Sequence, residues 1–144
     1  MSNEKRYKWL FPGRNAPFQE DFQYPEVGTW TEPVEGPLHH CGNGYHSCSA
    51  RGLSRWAPRN EAPCDLYEVE ESVEHLADRQ HKRPARQLRL VRLVVAQLSP
   101  DTLMGAVFPD LRCPRGCPFP TIACVPNSKK RANMLLRYLG EDEL

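Results

Sequence analysis

The sequence predicts an α+β fold: a single small domain with a short mixed or antiparallel β-sheet, two or three short helices and a long proline- and cysteine-rich loop. Three observations carry this. Residues 65–70 and 86–97 are rich in β-branched and alternating apolar side chains, the mark of strands. Ala132, Leu135, Leu136 and Leu139 recur at the helical period. Fourteen prolines in 144 residues, about twice the usual share of roughly 5%, keep most other elements short, because proline fixes φ and removes a backbone donor. A chain of this length forms one domain and buries roughly 70% of its extended surface.

In chain order, residues 1–40 carry Tyr7, Trp9, Phe11, Phe18, Phe22, Tyr24 and Trp30 between turns at Pro12, Gly13, Pro17, Pro25 and Gly28. Such spacing suits short strands joined by tight turns, with the aromatics in the core rather than on a base-stacking platform. Residues 49–58 can hold one short helix, ended by Pro58, with Leu53 and Trp56 on one face. The 65–70 strand points Tyr67 and Val69 inward and Leu66, Glu68 and Glu70 the other way. The 86–97 strand is apolar on both faces, which predicts a central strand. Ser99-Pro100-Asp101 starts a helix of about two turns, with serine capping and proline in the first turn. The 109–126 loop follows, with Pro109, Pro114, Pro118, Pro120 and Pro126. The last helix spans 128–139, capped by Ser128 and closed by Gly140, and residues 141–144 are expected to fray. The buried set is expected to include Tyr67, Val69, Leu90, Leu93, Leu135 and Leu139.

The formal net charge of +1 gives no global attraction to nucleic acid. The distribution is more telling. Residues 61–78 carry seven acids and no Lys or Arg, whereas residues 79–92 carry Arg79, Lys82, Arg83, Arg86, Arg89 and Arg92 and no acid. The simpler reading pairs the two segments across a hairpin, at a few tenths to about one kcal/mol per pair. The other makes a basic face for phosphates. No secretory signal follows Met1–Arg6, and the longest apolar run, within 88–98, is interrupted by Arg89 and Arg92 and is too short for a membrane span. These features predict an intracellular, cytoplasmic protein with no membrane partner, whose six cysteines meet a reducing compartment.

Catalytic fingerprints are absent: the sequence has no Gly-x-Ser-x-Gly, phosphate loop, dinucleotide-binding glycines or His-Glu-x-x-His. Cys113-Pro-Arg-Gly-Cys117 has the spacing of a zinc knuckle, with Cys124 seven residues on. The candidate ligands of one structural zinc are Cys113, Cys117 and Cys124, with the remainder drawn from Cys41, His46, Cys48 or the His39–His40 pair. The competing reading makes Cys41, Cys48 and Cys64 small buried hydrophobes. His46 on a strand is structural, a ligand, or a general base oriented by Glu68 or Glu70. Lys129, Lys130 and Arg131 in the first turn of the last helix, with Arg83 and Arg86, are candidate anion- or partner-binding residues expected to lie in solvent. The alternative for the helix is a solvated basic turn.

Gly28-Thr29-Trp30, Cys41…Gly44-Tyr45-His46-Ser47-Cys48, Leu66-Tyr67-Glu68-Val69-Glu70, Lys82 and Arg89-Leu90-Val91-Arg92 occur in an order that resembles an uncharacterised family of small actinobacterial and phage or prophage proteins. The resemblance covers roughly residues 5–95. It implies a compact α+β core over residues 1–98 and no activity. Residues 99–144 are then a C-terminal extension packed on the same domain.

The function expected from these features is that of a non-enzymatic phage- or prophage-type accessory protein binding a host protein or nucleic-acid complex. The alternative is a small nucleotide-handling enzyme, with His46, Tyr67 and Glu70 loosely similar to the His-Tyr-Glu set of ADP-ribosyltransferases. If Cys113 and Cys117 hold zinc, elemental analysis of protein purified without added metal should return about one equivalent per chain, and a chelator should lower the melting temperature, since metal and folding free energies are shared. Metal-free protein with an intact melting curve would remove the zinc loop from consideration.

Overall fold

The computed structural model describes residues 4–17, 21–53, 55–56, 63–99 and 129–144. Phe18, the short helix expected after Ser99, the loop carrying Cys113, Cys117 and Cys124, and the Ser128 cap lie outside the described residues. Five strands form one antiparallel sheet: β1 (Arg6–Leu10), β2 (Tyr45–Ser49), β3 (Cys64–Glu71), β4 (Lys82–Ala85) and β5 (Leu88–Leu98). Their spatial order is β4-β2-β1-β3-β5. A 3-10 turn at Ala50–Gly52 follows β2, and one α-helix, α1 (Lys129–Tyr138), completes the described elements. The fold is α+β.

β1 lies at the centre because its sequence, Arg-Tyr-Lys-Trp-Leu, offers large side chains to both faces. Tyr7 and Trp9 join Cys48, Leu53, Cys64 and Leu66 on one side, where Leu135 and Leu136 of α1 close over them. On the other, Leu10 joins Tyr24, Tyr45, Tyr67, Val69, Leu88 and Leu90, with Phe22 and Val34 of the long β1–β2 connection packed against them. Tyr67 and Val69 point inward as expected. Leu66, however, is equally buried, because the helix covers its face too. The expected helix at 49–58 is represented, in its described part, by the 3-10 turn with a further Trp56 N–H to Gly52 carbonyl bond of 3.0 Å.

β5 departs from its expected central place. It is the last strand of the sheet. Among the described residues, its first half is flanked on the outer side by the 28–34 segment: the N–H groups of Gly28 and Thr31 donate to the carbonyls of Leu90 (2.8 Å) and Leu88 (2.9 Å). Irregularities in the β3–β5 register then move the strand's apolar side chains between faces, since a one-residue slip reverses every side chain. Leu88 and Leu90 are buried with Tyr67, whereas Val94 and Val95 pack toward the helix side. Leu93, expected in the core, is 45% exposed.

Four arginines of the basic segment pair with acids of the acidic one. Arg92 and Arg89 face Glu68 and Glu70 in register across β3 and β5 and pair with them. Arg83 holds Glu71 at 2.6 Å, and Arg86 holds Glu74 at 2.7 Å. α1 ends as the glycine requires. Gly140 adopts φ +75°, and the Glu141 and Gly140 N–H groups bond back to the carbonyls of Leu136 (2.8 Å) and Arg137 (3.1 Å), the double closure of a left-handed cap. Residues 141–144, expected to fray, make contacts with the domain. The Glu141 carboxylate accepts from the Tyr7 hydroxyl at 2.9 Å and pairs with Arg92, and the Leu144 N–H donates to Asn133 Oδ1 at 2.6 Å. Among the described residues, no helix is long and apolar enough to cross a membrane.

Leu90→Ala should cost about 2–5 kcal/mol in urea unfolding, the range for a buried leucine. Leu93→Ala on the same strand should cost no more than about 0.5 kcal/mol, as surface substitutions do. Equal costs would contradict the change of face along β5.

Candidate functional site

β1 and β2 pair only at Arg6↔Ser49 and Tyr7↔Cys48. Beyond Tyr7 the His46 carbonyl is taken by a side chain: Lys8 Nζ donates to it at 2.6 Å. A cleft of about 530 Å³ opens here, lined by Lys8, Trp9, Tyr24, the 41–48 stretch, Trp56 and Lys82.

The 41–44 turn forms one wall. Asn43 ties it down through Nδ2 to the carbonyls of Glu35 (2.6 Å) and Pro37 (3.0 Å). Gly44 has φ +126°, and a Cβ there would stand 2.7 Å from Pro84 Cβ. Both the backbone angle and the space therefore demand glycine. The turn aims the Cys41 N–H at His46 Nε2, 3.0 Å away, and the Gly44 backbone bonds the same imidazole. Burial first, and then the charges of Lys82 and Lys8, push the His46 pKa from 6.5 to about 4. His46 is thus a neutral, fully engaged ring.

The floor carries two cations. Lys8 sits 5.5 Å from the Tyr24 ring centroid. Dehydration and the neighbouring Lys82 charge lower its pKa from 10.5 to about 8. Lys82 lies directly opposite Cys48 on the β2–β4 ladder, with Nζ 4.0 Å from the Trp56 ring centroid. Trp56 is held by its own Nε1–H bond to the Gln80 carbonyl, 2.8 Å. Cys48 is buried and its thiol is pushed up to about 11 by that burial, which makes it an inert core residue rather than a nucleophile. No carboxylate is among the described residues lining the cleft.

The structure distributes the sequence candidates unevenly. Of His46, Tyr67 and Glu70, only His46 lines the cleft. Tyr67 is buried in the cluster with Leu10 and Tyr24, and Glu70 is paired with Arg89. Cys41 and His46 meet, but through the backbone N–H of Cys41. Among the described residues no group of three or more His, Cys, Asp or Glu could hold a metal; Cys113, Cys117 and Cys124 lie outside them. Arg83 and Arg86, expected as free cations in solvent, have internal partners. Arg83 grips Glu71 and Asp78, and Arg86 grips Glu74 and donates to the carbonyls of Val34 (2.8 Å) and Gly36 (2.6 Å). Lys129 and Lys130 are exposed at the start of α1, while Arg131 is partly buried, its guanidinium 3.8 Å from Met134 Sδ. Lys8, Tyr24 and Trp56 were not foreseen as site residues. The available signal for Lys8 is a cation set between two aromatics, Tyr7 and Trp9, on a short strand.

Comparison of the chain with protein-family models, with curated proteins and with solved structures finds no match. The chemistry of the cleft therefore carries the functional reading.

Because the folded His46 takes up its proton well below the unfolded ring, the unfolded chain binds more protons between pH 6.5 and 4. The stability contributed by the neutral ring is complete above about pH 6.5 and is lost as pH falls toward 4. NMR titration should place the His46 midpoint near 4, and His46→Gln should flatten the stability profile in that window. A His46 ring already charged at pH 6 would refute the burial argument.

Proposed function

We propose that this protein is a non-enzymatic binding module whose cleft receives an acidic group of a partner protein. One observation carries the reading: two ammonium groups, Lys8 and Lys82, share a cleft whose described lining contains no carboxylate. A partly dehydrated cation without a counter-charge is costly to keep. The lowered pKa of Lys8 is the mark of that cost, and a bound anion would offset it. The aromatic walls from Tyr24 and Trp56 suit a ligand group with an apolar stem.

A protein partner is favoured over a nucleic-acid backbone. Tracking a duplex takes a row of free cations meeting successive phosphates. Here Arg83, Arg86, Arg89 and Arg92 are each paired with an acid of the same chain. The catalytic alternative has less support, because Tyr67 and Glu70 do not line the cleft with His46. On this reading the module is a phage- or prophage-type accessory protein, in line with the motif resemblance, and its partner is a host protein.

Thermal shift with a hexaglutamate peptide and with inorganic pyrophosphate tests the reading. A ligand at one hundred times its Kd stabilises by about 2.7 kcal/mol. Both probes should raise the melting temperature at pH 7. The shift should shrink as pH rises through 8, where Lys8 loses its charge, and vanish in the Lys8→Met/Lys82→Met double variant. No shift with either probe, or an undiminished shift in the double variant, would overturn the proposal.

A further inference from the structure

We propose that Lys8 is an imine-forming lysine, which reversibly captures the carbonyl group of an aldehyde or ketone that also bears an anionic group, with Lys82 holding the anion. The inference rests on the reading of the cleft as an anion site and assigns Lys8 a covalent role within it.

The geometry around Nζ is that of a reactive amine rather than a surface cation. Lys8 projects from the central strand into the opening between β1 and β2. Its Nζ donates to a backbone carbonyl, that of His46 at 2.6 Å, and no carboxylate among the described lining residues holds it as an ammonium. A neutral amine can donate one N–H to that carbonyl and still turn its lone pair to the cleft. The Tyr24 ring walls the stem. Lys82 supplies a second positive charge from β4, positioned by Trp56 beneath it. A dehydrated lysine beside another cation is a recognised way of activating an amine nucleophile. The difference between 10.5 and about 8 corresponds to roughly three hundred times more free amine at pH 7 than in an ordinary lysine. The nearby thiol of Cys48 does not compete, being buried and protonated.

The step balances without an external oxidant or reductant. The Nζ lone pair forms a bond to the carbonyl carbon, and the C=O π pair moves to oxygen. Oxygen gains a proton and nitrogen loses one, giving a carbinolamine. The oxygen takes a second proton from solvent and leaves as water as the nitrogen lone pair forms C=N; the protonated imine then returns its remaining N–H proton to solvent, so C=N replaces C=O. Neither ring nitrogen of His46 is free to serve this transfer, so the protons pass through solvent at the cleft mouth. Capture of this kind needs no further catalytic group and is reversed by water.

The experiment uses the full chain with glyoxylate and cyanoborohydride at pH 7.5, which reduces an imine to a stable carboxymethyl-lysine read by intact and peptide mass spectrometry. Labelling should fall on Lys8 roughly tenfold or more faster than on Lys5, Lys129 or Lys130, as its larger free-amine fraction requires. Its rate should rise with pH and level off above about 8. Oxalate, a diacid that cannot form the imine, should protect Lys8, and Lys82→Met should slow its labelling. Oxalate stabilisation without Lys8 labelling would overturn the imine and leave the anion site standing. Lys8 labelling indifferent to oxalate and to Lys82→Met would overturn the anion site and, with it, this inference. Labelling spread evenly over the surface lysines would overturn the covalent role without recourse to any variant.

Discussion

A single buried guanidinium holds the sheet in register. Arg6, 5% exposed, is bonded to Ser47 on β2 through Oγ (3.1 Å) and the backbone carbonyl (2.8 Å). It is ion-paired to Asp78 in the connection before β4 (3.0 Å) and stands 3.8 Å from Glu71 on β3. Arg83 on β4 completes the group by gripping the same two acids. Four strands thus converge on one charge network. Burying an arginine is tolerable only when its donors are met by acids and carbonyls in good geometry, and removing one partner from such a set typically costs about 3–5 kcal/mol. Arginine suits the place because its planar fork can serve several strands at once.

This clamp fixes β1 to β2 at Arg6 and stops there. Two residues on, Lys8 also reaches β2, but by its side chain, and the strands separate around it. The cleft is therefore a consequence of sheet geometry: tight pairing at Arg6 and Tyr7, side-chain bridging at Lys8, and a glycine-dependent turn at 41–44 that returns the chain beside Pro84. Lys8 shares β1 with Arg6, and Lys82 shares β4 with Arg83, yet the lysines and arginines differ in the acids they meet. Arg6 has Glu71 and Asp78, whereas the described cleft lining offers Lys8 and Lys82 none.

The charge ladder between β3, β4 and β5 has the complementary effect. Each arginine from 83 to 92 is matched to an acid on a facing segment, and Glu141 extends the ladder to the helix end by accepting from Arg92 and Tyr7. Individually exposed pairs of this kind contribute little. Collectively they neutralise Arg83, Arg86, Arg89 and Arg92, whereas Lys8 and Lys82 meet no carboxylate among the described cleft residues.

By itself, the sequence determined the element types. The period of Ala132, Leu135 and Leu136 marks a helix face, the β-branched content of 88–98 marks a strand, Gly140 marks the helix end, and the opposed charge runs at 61–78 and 79–92 mark two segments that meet. These are local signals, carried by residues within one or two turns of each other or by the sign of a charge. Tertiary structure alone decided which strand is central, that Leu66 is buried as fully as Tyr67, that Leu93 faces outward after a register shift, and that Glu141 docks on Tyr7. It also decided that Lys8 and Lys82, 74 positions apart, share a dehydrated cleft while Tyr67 and Glu70 stay away from His46. Each of those depends on strand order and on which face a neighbour covers, and side-chain alternation, with its period of two, says that faces differ without saying what each face will meet.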